Sequence, residues 1–352
     1  MTNTTTRRPA AFAIPGDATQ KTGGYIYEWE LLQGLRRNGR AVDHIELASG
    51  FPDPSPAETR TAIETMAALP ADVPLIIDGL VFGSIDTAGL ETVRAPIVAM
   101  IHHPLGLETG LSAERSAHLL GREADNLKLA RAVLVPSPHT ARILVGQFGV
   151  AEDKITIALP GFRPADPVKK LSTPPLILSV GLLAERKGHD VLVAAFGKLR
   201  DLEWQAQIVG KTHDAAVEAR LRGQIEALGL GERVVLTGLL DDAEVIERYR
   251  AASIFALATR YEGYGIVLGE ALLHGLPIVT CRTGAVPDTV PEGAGLLVPV
   301  DDAEAIAKAL RMLLTDHDAR QKMAEVSRQA GERLPSWDDT ERIVSGVLDR
   351  VY

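Results

Sequence analysis

Two carboxylates, Glu262 and Glu270, bracket a glycine-punctuated run, Arg260-Tyr261-Glu262-Gly263-Tyr264-Gly265-Ile266-Val267-Leu268-Gly269-Glu270-Ala271-Leu272. Gly263 and Gly265 let the backbone come close to a ligand, and a helix opening at Ile266 has unpaired N–H donors in its first turn. Such a turn is an anion site suited to a diphosphate. Carboxylates beside phosphate repel it unless they accept hydrogen bonds from hydroxyls, as on a sugar. The plain alternative is a glycine-rich turn with two solvated glutamates.

A second segment, Ser179-Val180-Gly181-Leu182-Leu183-Ala184-Glu185-Arg186-Lys187-Gly188-His189-Asp190, reads as strand, loop and helix. Arg186 and Lys187 stand where a strand's carboxyl end meets ligand and can neutralise phosphate; alone, they read equally as surface cations. The segment lacks the Gly-Lys-Ser/Thr ending of a Walker A loop. A third, Ala99-Met100-Ile101-His102-His103-Pro104, carries two histidines at a strand's end, and the loop Leu105-Gly106-Leu107-Glu108-Thr109-Gly110 continues the same rim. A lone histidine there would be structural, whereas two at a strand's carboxyl end point to function; the loop after them reads equally as an ordinary glycine-punctuated turn.

The elements that must hold these residues alternate. Strands are expected at Ala10–Ile14, Leu75–Ile77, Pro96–Ile101 and Val133–Pro136, with helices at Tyr25–Arg37 and Glu114–Ala130 and a helix start at Ser137-Pro138. The pattern restarts with strands Leu176–Val180, Gln205–Val209, Val234–Leu236, Ile254–Leu257 and Pro277–Thr280. Between them lie helices His189–Leu199, Ala215–Leu228, Ala243–Ala251, Ile266–His274 and, last, Ala303–Leu314. Alternation of this kind implies an α/β fold with parallel sheets covered on both faces. The proline-rich stretch from Pro160 to Pro175 is the natural linker. The expected organisation is therefore two Rossmann-like domains, 1–165 and 166–334, facing across a cleft, with a terminal helix in 335–352. Open sheets of this type bind ligands beyond the carboxyl ends of their strands.

Taken together and in order, these motifs resemble the retaining GT-B glycosyltransferases of family 4, also called glycosyl transferases group 1. Glu262 and Glu270 match the ends of that family's Glu-x7-Glu motif, Lys187-Gly188 its lysine-glycine step, and Gly23-Gly24 its N-terminal glycine pair. Ser336-Trp337 followed by Asp338–Val351 looks like its C-terminal helix, which crosses back to the first domain. The resemblance implies an NDP-sugar-dependent hexosyltransferase that needs no metal and no cofactor beyond the nucleotide sugar as co-substrate. It implies that Gly24, next to Gly23, presents its N–H to the donor phosphates, and that Lys187 with Arg186 binds the diphosphate. Glu262 and the turn Gly263, Tyr264, Gly265 and Ile266 would hold the transferred sugar, and Glu270 the ribose. The family's first-domain histidine falls on His102, with His103 as fallback. The first domain shapes the acceptor site, which points to Glu108 and Thr109. One departure stands out: Leu182 occupies the place where members often carry arginine.

Composition narrows the alternatives. Hydrophobic residues make up 46% and charged residues 24% of 352, ordinary for a globular protein and unlike a disordered one. A net charge of −9, spread over both halves, disfavours nucleic acid as a partner. The cluster Arg36, Arg37 and Arg40 is the one basic spot, read as a helix C-terminus with at most weak peripheral membrane contact. Met1–Pro9 is polar and the apolar stretch after it is short, so the expectation is a cytoplasmic protein with no signal peptide. Cys281, the sole cysteine, reads as a small buried residue. No carboxylate or histidine cluster at metal-ligand spacing is legible: Asp316-His317-Asp318 reads as a helix cap, and His213-Asp214 has no second ligand. A nucleotide-sugar epimerase, a sugar phosphorylase or a non-catalytic relative would share much of this pattern. An NAD-dependent oxidoreductase would not, since Gly-x-Gly-x-x-Gly is missing after the first strand.

Overall fold

The structure is a computed structural model that describes residues 7–108, 110–165 and 169–351. The chain divides into two compact units, Met1–Gly161 with Pro335–Tyr352, and Phe162–Leu334. The division falls slightly before residue 165 because Phe162 packs within the second unit. Its ring end lies 2.2 Å from where a side chain on Gly269 would begin, and it tilts against Tyr264 at 6.3 Å.

The first unit is built on a six-stranded sheet: β1 (Ala10–Pro15), β2 (Val42–Leu47), β3 (Leu75–Asp78), β4 (Ile97–Met100), β5 (Ala132–Val135) and β6 (Ile155–Ile157). All pairs are parallel, in the order β2-β1-β3-β4-β5-β6. The four inner strands are apolar and buried on both faces, as parallel strands covered by helices must be. The helix Gly23–Arg37 buries Tyr27, Leu31, Leu32 and Leu35 at helical spacing. The terminal helix Trp337–Leu348 packs on it. Ser336 caps that helix in a reciprocal box with Asp339, and Thr340 donates to the Leu159 carbonyl at 2.7 Å.

Burial revises the basic spot. Arg40 is inside the first unit, its guanidinium donating to Ser345 and, at 2.6 Å, to Asp349, while Arg36 donates to the Val42 carbonyl. Arg40 closes the joint between the two helices and is not a surface cation.

The second unit holds β7 (Leu176–Val180), β8 (Gln205–Val209), β9 (Val234–Gly238), β10 (Ala252–Leu257), β11 (Ile278–Cys281) and β12 (Gly295–Val298), all parallel. Their order, β12-β11-β10-β7-β8-β9, is the doubly wound dinucleotide-fold order read from the other edge. The chain leaves β7 toward β8 on one side and returns to β10 on the other, so the β7/β10 crevice is the switch point where such sheets bind ligands. The corresponding switch in the first unit lies between β1 and β3. Cys281 is buried in the second core, and Asp316 caps the helix His317–Gly331 by accepting from the Ala319 N–H. Among the described residues no helix is long and apolar enough to cross a membrane.

Candidate functional site

Lys187 and Glu262 arrive from the loops after β7 and β10, the two sides of the switch. The lysine Nζ donates to Glu262 Oε1 at 2.6 Å, and the Thr259 hydroxyl donates to the same oxygen at 2.9 Å. Arg186 NH1 lies 3.8 Å from Glu262 Oε2 and donates to the Tyr261 carbonyl at 2.9 Å. Burial alone would raise the Glu262 carboxyl. The nearby Lys187 and Arg186 charges and the donated hydrogen bonds outweigh it and hold the group ionised, below the usual carboxylate range.

Backbone shape makes this pairing possible. Gly188 has φ +62, and a side chain there would begin 1.9 Å from the Ala258 carbonyl oxygen. Glycine alone lets the β7 loop press against the end of β10, which is why the lysine is followed by glycine. Gly265, φ +85, turns the chain into the helix Ile266–Leu273, and no side chain caps that helix. Leu268 N–H donates to the Gly265 carbonyl at 2.8 Å, and an uncapped helix start of this kind leaves its first N–H groups to water or an anion. Thr289 donates to the Tyr264 carbonyl at 2.8 Å and the Ala285 N–H to the Glu262 carbonyl at 2.8 Å, so the turn is pinned from beneath.

Glu270 lies one turn into this helix, apart from the Glu262 cluster. Tyr249 donates to its Oε2 at 2.8 Å, and His274 stacks on Tyr249 with ring centres 4.9 Å apart. Burial pushes the Glu270 carboxyl up to about 7, against the lowering effect of the Tyr249 bond and with a further upward push from Asp242. The side chain of Lys187 is only 11% exposed. It is a partnered, half-enclosed cation, not the surface group that its position in a loop suggests. Leu182 contributes its carbonyl, which accepts from His189 Nε2 at 3.2 Å.

In the first unit, His102 follows β4 and lies beside the first turn of the helix Gly23–Arg37. A side chain on Gly24 would begin 3.4 Å from the imidazole Cδ2. Thr22 does not cap that helix with its side chain. His102 Nε2 is 3.3 Å from Glu28 Oε1, and Glu28 hydrogen-bonds Asp78 at the end of β3. His103 pairs instead with Glu108 at 2.8 Å, so the two rim candidates meet. Thr109 lies outside the described residues.

Glu28, Asp78 and His102 each bring a potential ligand atom within 4.8 Å of the others. This corrects the reading that no cluster of metal-ligand spacing exists. The three sit on a helix and two strand ends far apart in sequence, so no local motif reveals them. Two further side chains were missed, Thr259 and Tyr249, which hold the two glutamates. A buried threonine directly after a strand carries little signal, whereas the acid ending Leu75-Ile76-Ile77-Asp78 does mark a strand's carboxyl end.

Residues 163–330 match the family glycosyl transferases group 1. The D-inositol 3-phosphate glycosyltransferase of Thermobifida fusca is 24% identical over 94% of this chain and 88% of its own. Matches to other relatives of that name cover from 43% to 64% of their length. Among solved structures, sucrose-phosphate synthase from Thermosynechococcus elongatus superposes with a TM-score of 0.82 at 22% identity, covering 97% of this chain and 98% of that one. HepE of Anabaena in complex with UDP-glucose gives 0.77 at 17% identity, covering 96% and 99%. The glycosyl transferases group 1 match lies in the second unit, and the two Rossmann-like units have the GT-B fold; the protein is a glycosyltransferase.

Proposed function

We propose that this enzyme moves a hexose from a nucleoside-diphosphate sugar to an acceptor hydroxyl with retention of the anomeric configuration and without a divalent metal. The observation that carries the reading is the Lys187–Glu262–Thr259 cluster on the glycine turn at the β7/β10 switch point. A diphosphate fits the open start of the helix Ile266–Leu273, with Lys187 and Arg186 supplying positive charge. Glu262 accepts from hydroxyls of the transferred sugar and Glu270 from the ribose. The first unit offers the Gly24 N–H to phosphate and the His102 imidazole to a sugar hydroxyl. In the retaining route the acceptor attacks from the face that the nucleoside diphosphate leaves, and a phosphate oxygen takes the acceptor's proton. A protein nucleophile is then not required, and no metal is needed where two cations already meet the leaving group. The UDP and UDP-glucose complexes of HepE support a nucleotide sugar as donor.

Thermal unfolding against UDP-glucose, UDP-galactose, GDP-mannose and ADP-glucose tests the donor assignment. A ligand at about 100 times its Kd adds roughly 2.7 kcal/mol to folded-state stability. One of the four should raise the unfolding midpoint, and Lys187→Ala should abolish the shift. No shift with any of them, together with no release of nucleoside diphosphate, would remove the donor assignment.

A further inference from the structure

Beneath His102 the first unit buries two carboxyl groups that the donor chemistry above does not use. Glu28 is 1% and Asp78 4% exposed, and they hydrogen-bond each other. Glu28 comes from the inward face of the helix Gly23–Arg37, beside Tyr27; Asp78 ends β3 and also accepts from the Leu80 N–H at 2.8 Å. Tyr27 meets the His102 ring edge-on at 5.3 Å, and the Thr140 hydroxyl holds the His102 carbonyl. Thr140 thus holds the His102 backbone, and the imidazole is held by Tyr27 and, on Nε2, by Glu28.

We propose that Glu28 and Asp78 are positioning residues for His102: the Asp78 carboxyl O–H donates a hydrogen bond to Glu28, and Glu28 accepts from His102 Nε2–H. Two carboxyl groups in hydrogen-bond contact need one proton between them. Burial and the neighbouring Glu28 raise Asp78 well above the usual range, so Asp78 keeps that proton. Burial pushes Glu28 up to about 7, against the lowering effect of the Asp78 bond. A carboxylate only accepts, so an ionised Glu28 requires the proton on Nε2. Nδ1 then carries the lone pair, and the nitrogen left for a ligand is an acceptor. Burial also lowers the His102 pKa, which keeps the ring neutral. His102 so held accepts a hydrogen bond from a sugar hydroxyl and does not act as an acid. This rests on the reading that His102 faces the reacting sugar.

Two measurements test the proposal. Nitrogen-15 NMR of the full chain labelled at histidine, with His102 assigned by its absence in His102→Asn, should show at pH 8 a neutral ring protonated on Nε2. A ring protonated on Nδ1 would overturn the proposal, whether or not any variant folds. Kinetically, with the donor selected by thermal shift, Glu28→Gln should lower kcat by about 10–100-fold, as loss of an orienting partner does elsewhere. The donor KM should stay within about twofold, since binding contacts remain. In a His102→Ala background the same change should cost nothing further, and an equal cost in both backgrounds contradicts action through His102. If His102→Ala itself leaves kcat unchanged, the reading of His102 at the sugar fails, and the tautomer result still decides the positioning.

Discussion

In the proposed reaction one contact of Lys187 would serve both chemistry and folding. There, negative charge grows on the diphosphate as the donor bond breaks, and a fixed ammonium stabilises that state more than the ground state. Removing one such group typically costs about 10²–10³ in rate. Lys187→Ala should therefore lower kcat by about that factor, read at saturating donor. It should also destabilise the protein by about 1–3 kcal/mol, because Glu262 is 5% exposed and loses its shortest donor. Denaturant unfolding checks the second part, and an unchanged stability would mean that Arg186 takes over the carboxylate. Leu182→Arg restores a cation where group members often have one, and should tighten donor binding. The lysine-glycine step and the Glu262/Glu270 spacing were legible in the sequence. Thr259 and Tyr249 were not, since each reaches its glutamate from another segment of the fold.

At the scale of elements, strand burial decided what could be read. The inner strands β1, β3, β4, β5, β7, β10 and β11 are continuous apolar runs, buried on nearly every residue, and the pattern of the chain marks them. The edges β2 and β6 expose part of each strand, so Val42–Leu47 mixes polar residues into its run and Ile155–Ile157 is short; neither was expected. β12 escaped as well, being short and only half-buried. The helix Pro56–Ala67 was also missed, although Ser55 and Glu58 form a capping box, because few of its residues are buried. The rim turn Leu105–Leu107 rests on the helix Ala113–Leu129 through Glu123, which accepts from the Leu105 N–H at 3.1 Å, and through Ser116, which donates to the Gly106 carbonyl. Burial pushes Glu123 up to about 8, so it is protonated in the folded protein at neutral pH and ionised when unfolded. Its contribution to stability is present below its unfolded value and is lost as pH rises through 8. The unfolding midpoint of the natural protein should therefore fall relative to that of Glu123→Gln between pH 7 and 9. Parallel midpoints over that range would show that Glu123 does not titrate there.

At the scale of the whole molecule, two sheets of related winding each place a loop cluster at a switch point, and the two clusters differ in chemistry. The second unit offers two cations and two carboxylates around a glycine turn, suited to a nucleotide sugar. The first offers an open helix start and a neutral histidine above a buried acid pair, suited to hydroxyls and phosphate. The alternation of elements revealed both sheets, while the buried trio of Glu28, Asp78 and His102 emerges only when a helix and two strands meet. The central claim is metal-free transfer with retention, and the anomeric proton signals of the first product test it directly. With the selected α-linked nucleotide sugar, excess EDTA and water or an added acceptor, proton NMR in the first minutes should show the α anomer before any mutarotation. A β product formed first, or a reaction abolished by EDTA and restored by Mg²⁺ or Mn²⁺, would contradict the account.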